Sequence, residues 1–228
     1  MFRTVSAVSF IIVFVGIAYH YIIFPSGRCH RWRPLDILKK LVHLLTLFFL
    51  EQQLSPLGIL KKLVYLLALL CFVVLAITSF YPVWVLGKSI SGYWLMLHAT
   101  AAPVFTASLA VLALTWAHRY RFNGSDWPRL QRLIRRRASK EPVSEKSELG
   151  QKICFWLIIL LALPAILSIV LSMFPLFGTE GQEFLLDTHR YSALLLALVA
   201  IVHTYLIIRT QIGKGTPPCG NPNNSQLV

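Results

Sequence analysis

The sequence predicts an all-α integral membrane protein: a four-helix transmembrane bundle, one extra N-terminal transmembrane helix and a short interfacial or re-entrant helix. Three observations carry this prediction. Five apolar runs of about twenty residues or more divide the chain, each long enough to cross a hydrocarbon core of roughly 30 Å. Hydrophobic residues make up 56% of the 228 residues and charged residues 14%, which excludes an ordinary water-soluble domain. The lysines and arginines stand between the apolar runs, as the positive-inside rule describes. The formal net charge of +13 is therefore explained by topology and points to no nucleic acid.

Residues 5–24 form the first span. Only Arg3 precedes it, no small-residue cleavage site is present and basic residues follow, so it reads as a retained anchor rather than a signal peptide. His20, between Tyr19 and Tyr21 near its end, has the setting of an interfacial histidine rather than a ligand. Residues 25–36 are polar and basic and read as a loop, with Asp36 as a candidate helix cap. Residues 37–50 are apolar but too short to span, and Asp36, Lys39, Lys40 and His43 form one polar stripe at helical spacing. Ile37-Leu-Lys-Lys-Leu-Val-His43-Leu-Leu recurs as Ile59-Leu-Lys-Lys-Leu-Val-Tyr65-Leu-Leu. Two copies make no repeat array, but they mark His43 and Tyr65 as comparable positions.

Residues 57–80 form the next span, bounded by Ser55-Pro56 and Tyr81-Pro82. Residues 92–116 carry His98 beside Ala99, Thr100, Ala101 and Ala102, small residues that let another helix or a flat ring approach closely. The polar segment 117–152 holds ten Lys/Arg against four Asp/Glu, a balance of about +6, which places it in the cytoplasm. Its run from Arg129 to Arg137 suits lipid headgroups or a docking partner better than nucleic acid. Residues 153–174 form a span that Pro164 is expected to kink. The connection 175–188 carries Glu180, Glu183 and Asp187 with no Lys or Arg and belongs outside. Residues 186–210 return across the membrane, and the Gly-, Pro- and Asn-rich tail 213–228 reads as disordered. The N-terminus then lies outside and the C-terminus inside. The chain divides into an anchor with the interfacial helix (1–54), a four-helix core (55–212) and the tail.

The last span carries the chemistry. His189 and His203 are fourteen residues apart, and at roughly 100° per residue they return to within about 40° of one helix face. A rise of about 1.5 Å per residue sets them roughly 21 Å apart, one toward each side of the membrane. Intramembrane ionisable residues are costly and by default mark functional sites with partners. His98 lies at the depth of His189, in the outer half. His203 lies six residues from Arg209, in the inner half. Bis-histidine haem b needs facing neutral imidazoles, a flat apolar slot and basic groups for its propionates. His98 with His189 meets this requirement, with Arg190 as a candidate propionate partner. For His203 the second iron ligand is open among His43, His118 and Tyr65, in that order, with Lys61, Lys62 and Arg209 available to propionates. No spacing among Cys29, Cys71, Cys154 and Cys219 suits a metal, and covalent c-type haem would need a cysteine where Ser26 stands before Cys29. A proton-relay transporter would add carboxylates within the spans, and hydrolytic catalysis lacks any Ser-His-Asp cluster at membrane depth.

Four core spans, with His98 on the second and His189-x13-His203 on the fourth, resemble the gamma-type membrane cytochrome b subunits of respiratory formate dehydrogenases and nickel-iron hydrogenases. The stretch from Ser55 to Thr78 is similar to the family's first core helix, which carries a histidine where this chain has Tyr65. The resemblance covers about residues 55–212 and implies that His98 and His189 ligate an outer haem b, and that His203 ligates an inner one near a quinone pocket. His43, in the echoed motif, is the candidate replacement for the ligand missing at Tyr65. Cytochromes b of the quinol:cytochrome c oxidoreductases also use fourteen-residue pairs, but on two helices, whereas His98 and His118 here are twenty apart.

The expected function is that of a di-haem b cytochrome, an electron-transfer subunit of a quinone-reactive oxidoreductase in a prokaryotic cytoplasmic membrane. Its expected partners are membrane lipid, quinone and a redox subunit of the iron-sulfur or c-type cytochrome kind. Two alternatives stand beside it: a haem-free scaffold docking a cytoplasmic partner through segment 117–152, and a transmembrane reductase using one haem pair for a small acceptor.

Overall fold

The computed structural model describes residues 1–23, 56–124, 126–128, 131, 143–174 and 177–214. Every regular element among them is helical: α1 (Phe2–Ile23), α2 (Pro56–Tyr81), α3 (Tyr93–Trp116), α4 (Val143–Ser172) and α5 (Thr179–Lys214). All five contain a stretch long and apolar enough to cross a membrane. The expected helix at 36–50 and residues 215–228 of the tail lie outside the described residues.

Local sequence accounts for the ends. Pro56 opens α2, where its missing N–H costs nothing. After Tyr81 the chain widens into a π-helical turn, Pro82–Leu86, closed by Gly87 at φ 65°, a left-handed conformation that favours glycine. Gly92, at φ 57°, then starts α3. The α-helices α3 and α4 run through Pro103 and Pro164. Both α4 and α5 begin well before their apolar runs, because hydropathy marks where a helix enters lipid and not where its hydrogen bonding begins.

Close backbone approach is concentrated in two hairpins, α2–α3 and α4–α5, and is sparse between α3 and α4. Small side chains bring α4 and α5 together: Ala162, Ala165 and Ser168 on one helix and Ser192 and Ala197 on the other are buried. A Cβ at Gly150 would meet Leu206 Cδ1 at 3.0 Å, which shows how tightly the far end of this pair packs. Helix α1 lies against α5 and the π-turn. Phe10 makes edge contacts with Phe80 and Trp84, while Trp84 Nε1 donates to the buried Ser6 hydroxyl at 3.0 Å. Outward faces are lined by exposed large apolar residues such as Ile12, Leu63, Leu70, Leu114, Leu160 and Leu167. Such a surface is stable against lipid tails and not against water. The chain is an integral membrane protein.

Candidate functional site

Helix α3 carries His98 and helix α5 carries His189, and the fold brings the two rings face to edge across the gap between the hairpins. Their centroids are 6.3 Å apart and their planes 84° from parallel. Each ring is held by its Nδ1. His98 Nδ1 lies 3.0 Å from Thr78 Oγ1 and 3.3 Å from Ser79 Oγ, at the end of α2. His189 Nδ1 lies 2.7 Å from the Ala165 carbonyl on α4. The partners decide the tautomers. A carbonyl can only accept, so His189 donates from Nδ1. The single Thr78 hydroxyl proton is directed at the helix carbonyls of Val74 (2.8 Å) and Leu75 (3.1 Å), so toward His98 this oxygen accepts. Both imidazoles therefore keep the Nε2 lone pair, the form a metal needs.

The separation would let both imidazoles hold one metal. Two metal–imidazole bonds of about 2 Å, with about 1.1 Å from nitrogen to ring centre on either side, span roughly 6 Å. Among the described residues no cluster of three His, Cys, Asp or Glu could hold a bare ion. His98 and His189 would be enough to hold an iron whose other positions a flat macrocycle fills.

Fourteen residues further along α5, His203 has a different setting. Its Nδ1 is buried and has no hydrogen-bond partner among the described residues. One aromatic ring faces it: Tyr120 lies 6.4 Å away and is itself stacked on Phe155 at 4.5 Å, and Trp116 links Tyr120 to Tyr65, which stacks on it at 5.5 Å. Burial pushes the Tyr120 phenol up from its ordinary value, with Arg119 pulling the other way, so it is neutral at physiological pH. The three candidates for a second ligand beside His203 fare differently. His43 lies outside the described residues. His118 is exposed in the turn after α3. Tyr65 faces Trp116.

The basic residues also separate. Arg190 is exposed and pairs with Asp187 at 3.1 Å, at an open groove of about 470 Å³ lined in part by Phe177 and Leu186. Lys61 is exposed and Lys62 half-buried near the start of α2. Arg209 is buried between α5 and α1, with Nη1 at 2.6 Å from His20 Nδ1 and 3.5 Å from Tyr205 Oη, while His20 Nδ1 and Tyr205 Oη are 2.9 Å apart. His20 is thus tied to a helix of the bundle, a role its flanking tyrosines did not signal.

Sequence reasoning missed Thr78, Ser79, Tyr120 and the Ala165 carbonyl. Thr78 was findable: it stands three residues before the end of α2, and His98 five residues after the start of α3, so their depths match. The carbonyl has no sequence signature at all.

A transmembrane helical bundle with two apposed, lone-pair-bearing histidines defines the class of membrane proteins that carry haem between helices. The particular family follows from the sequence: residues 62–216 match prokaryotic cytochrome b561, and the chain belongs to that family. No curated protein and no solved structure matches the chain. Membership makes it a membrane cytochrome b that binds haem b and acts in electron transfer, in agreement with the resemblance drawn from the histidine spacing.

Proposed function

We propose that the chain is a di-haem b cytochrome that moves electrons between a redox partner subunit at its outer face and the quinone pool. The reading rests above all on His98 and His189, whose Nδ1 atoms are anchored and whose rings stand 6.3 Å apart. When bound there, haem b supplies a one-electron iron couple in a low-dielectric interior. His98 and His189 would hold the iron of the outer group, and Arg190, beside His189, is its candidate propionate partner. His203 would hold the inner group, with His43 as the first choice for its companion, and Arg209, Lys61 and Lys62 on that side. The buried, unpartnered Nδ1 of His203 supports a site there, because an apolar interior tolerates such an atom poorly.

The charge pattern supports an orientation with segment 117–152 and the C-terminus in the cytoplasm, the N-terminus outside, and the prokaryotic cytoplasmic membrane as the location. The partner would be of the iron-sulfur or c-type cytochrome kind. Reduced-minus-oxidised spectra and the haem-to-protein ratio of the purified chain test the reading. A ratio near two is expected, a ratio near one removes the inner site, and a ratio near zero sinks the proposal. H98A should abolish the outer signal, and an unchanged spectrum would show the pairing to be wrong.

A further inference from the structure

We propose that Thr78 is the positioning residue that sets both the tautomer of His98 and the redox poise of the group held by His98 and His189. The inference rests on the haem reading of that pair. Thr78 is 1% exposed, so no water competes for its hydroxyl. That oxygen lies 2.8 Å and 3.1 Å from the carbonyls of Val74 and Leu75, and 3.0 Å from His98 Nδ1. One hydroxyl carries one proton. The backbone takes it, and the oxygen is left as acceptor for the imidazole N–H.

The two histidines are consequently unequal. His189 donates to a backbone carbonyl at 2.7 Å, a short bond to a strong acceptor. His98 donates to a hydroxyl oxygen, a weaker acceptor, with Ser79 at a marginal 3.3 Å. Hydrogen bonding at the far nitrogen raises the basicity of a ligating imidazole and favours the oxidised iron. Thr78 therefore contributes part of the stabilisation of the oxidised form, and a side chain without an acceptor at this point would raise the midpoint potential. The same bond excludes the other tautomer, in which Nε2 carries the proton and cannot bind metal. Loss of the acceptor should also weaken haem binding, by the roughly 10- to 100-fold typical of such outer partners.

The test is a redox titration of the holoprotein carrying Thr78→Val, Thr78→Ala or Thr78→Ser, read at the outer haem band with haem content measured alongside. The expected result is a positive shift of the outer potential in the valine and alanine variants, with the inner band unmoved and the serine variant restored to the wild-type value. Loss of the outer haem from the valine and alanine variants, with full retention in the serine variant, supports the proposal equally, since binding then depends on the oxygen. Wild-type potential in a valine or alanine variant that retains haem overturns it. So does a serine variant that behaves like the other two, because the methyl group would then be what matters. Failure of the underlying haem pairing is seen separately, as an H98A spectrum that keeps the outer band.

Discussion

The two ends of α5 hold the same residue type in opposite conditions. At the His189 end two rings from two hairpins meet, each with Nδ1 committed to a neighbouring helix. At the His203 end the ring faces Tyr120, which stacks on Phe155, and its Nδ1 has no partner among the described residues. A committed imidazole is pre-organised, so little ordering entropy remains to be lost when it binds a metal. An uncommitted one leaves its tautomer to whatever binds there. The same helix therefore carries one imidazole fixed by its neighbours and one whose Nδ1 is not.

The sharpest way to break this comparison is to remove each histidine in turn. H189A should cost one full haem equivalent and leave the His203 signal, and H203A should do the reverse, measured as haem per protein by spectroscopy. Loss of both signals in either variant would mean that the two ends do not bind independently. Next in size, H20L removes an acceptor from the buried Arg209 guanidinium and should cost about 2 kcal/mol of stability in denaturant unfolding in detergent. The outer haem band should not move, because Arg209 lies six residues beyond His203. At the opposite end, W84F removes the hydrogen bond to buried Ser6 and should cost about 1 kcal/mol by the same measurement. The smallest effect belongs to Y120F, which keeps the stack on Phe155 and loses only the hydroxyl. Stability should change by less than about 0.5 kcal/mol, and any spectral change should be confined to the His203 band.

Much of this arrangement was legible in the residues. Apolar length and charge placement predicted the spans, because a bilayer imposes one requirement on every segment that crosses it. Helical depth paired His98 with His189, since a continuous helix converts residue number directly into height. The same reasoning stopped short at His203. It left the companion open among His43, which lies outside the described residues, His118, which the turn after α3 leaves exposed, and Tyr65, which stacks on Trp116. Arg190 it named as a propionate partner without the neighbour the fold adds, Asp187 three residues earlier.

What the sequence by itself determined is the class of protein: a helical membrane bundle with histidines at two depths. Tertiary structure alone decided which nitrogen of each ring is committed, and to what. Thr78, the Ala165 carbonyl and the Tyr120 ring beside His203 come from segments distant in the chain, and a backbone carbonyl is identical at every residue. Only packing selects the one that meets an imidazole.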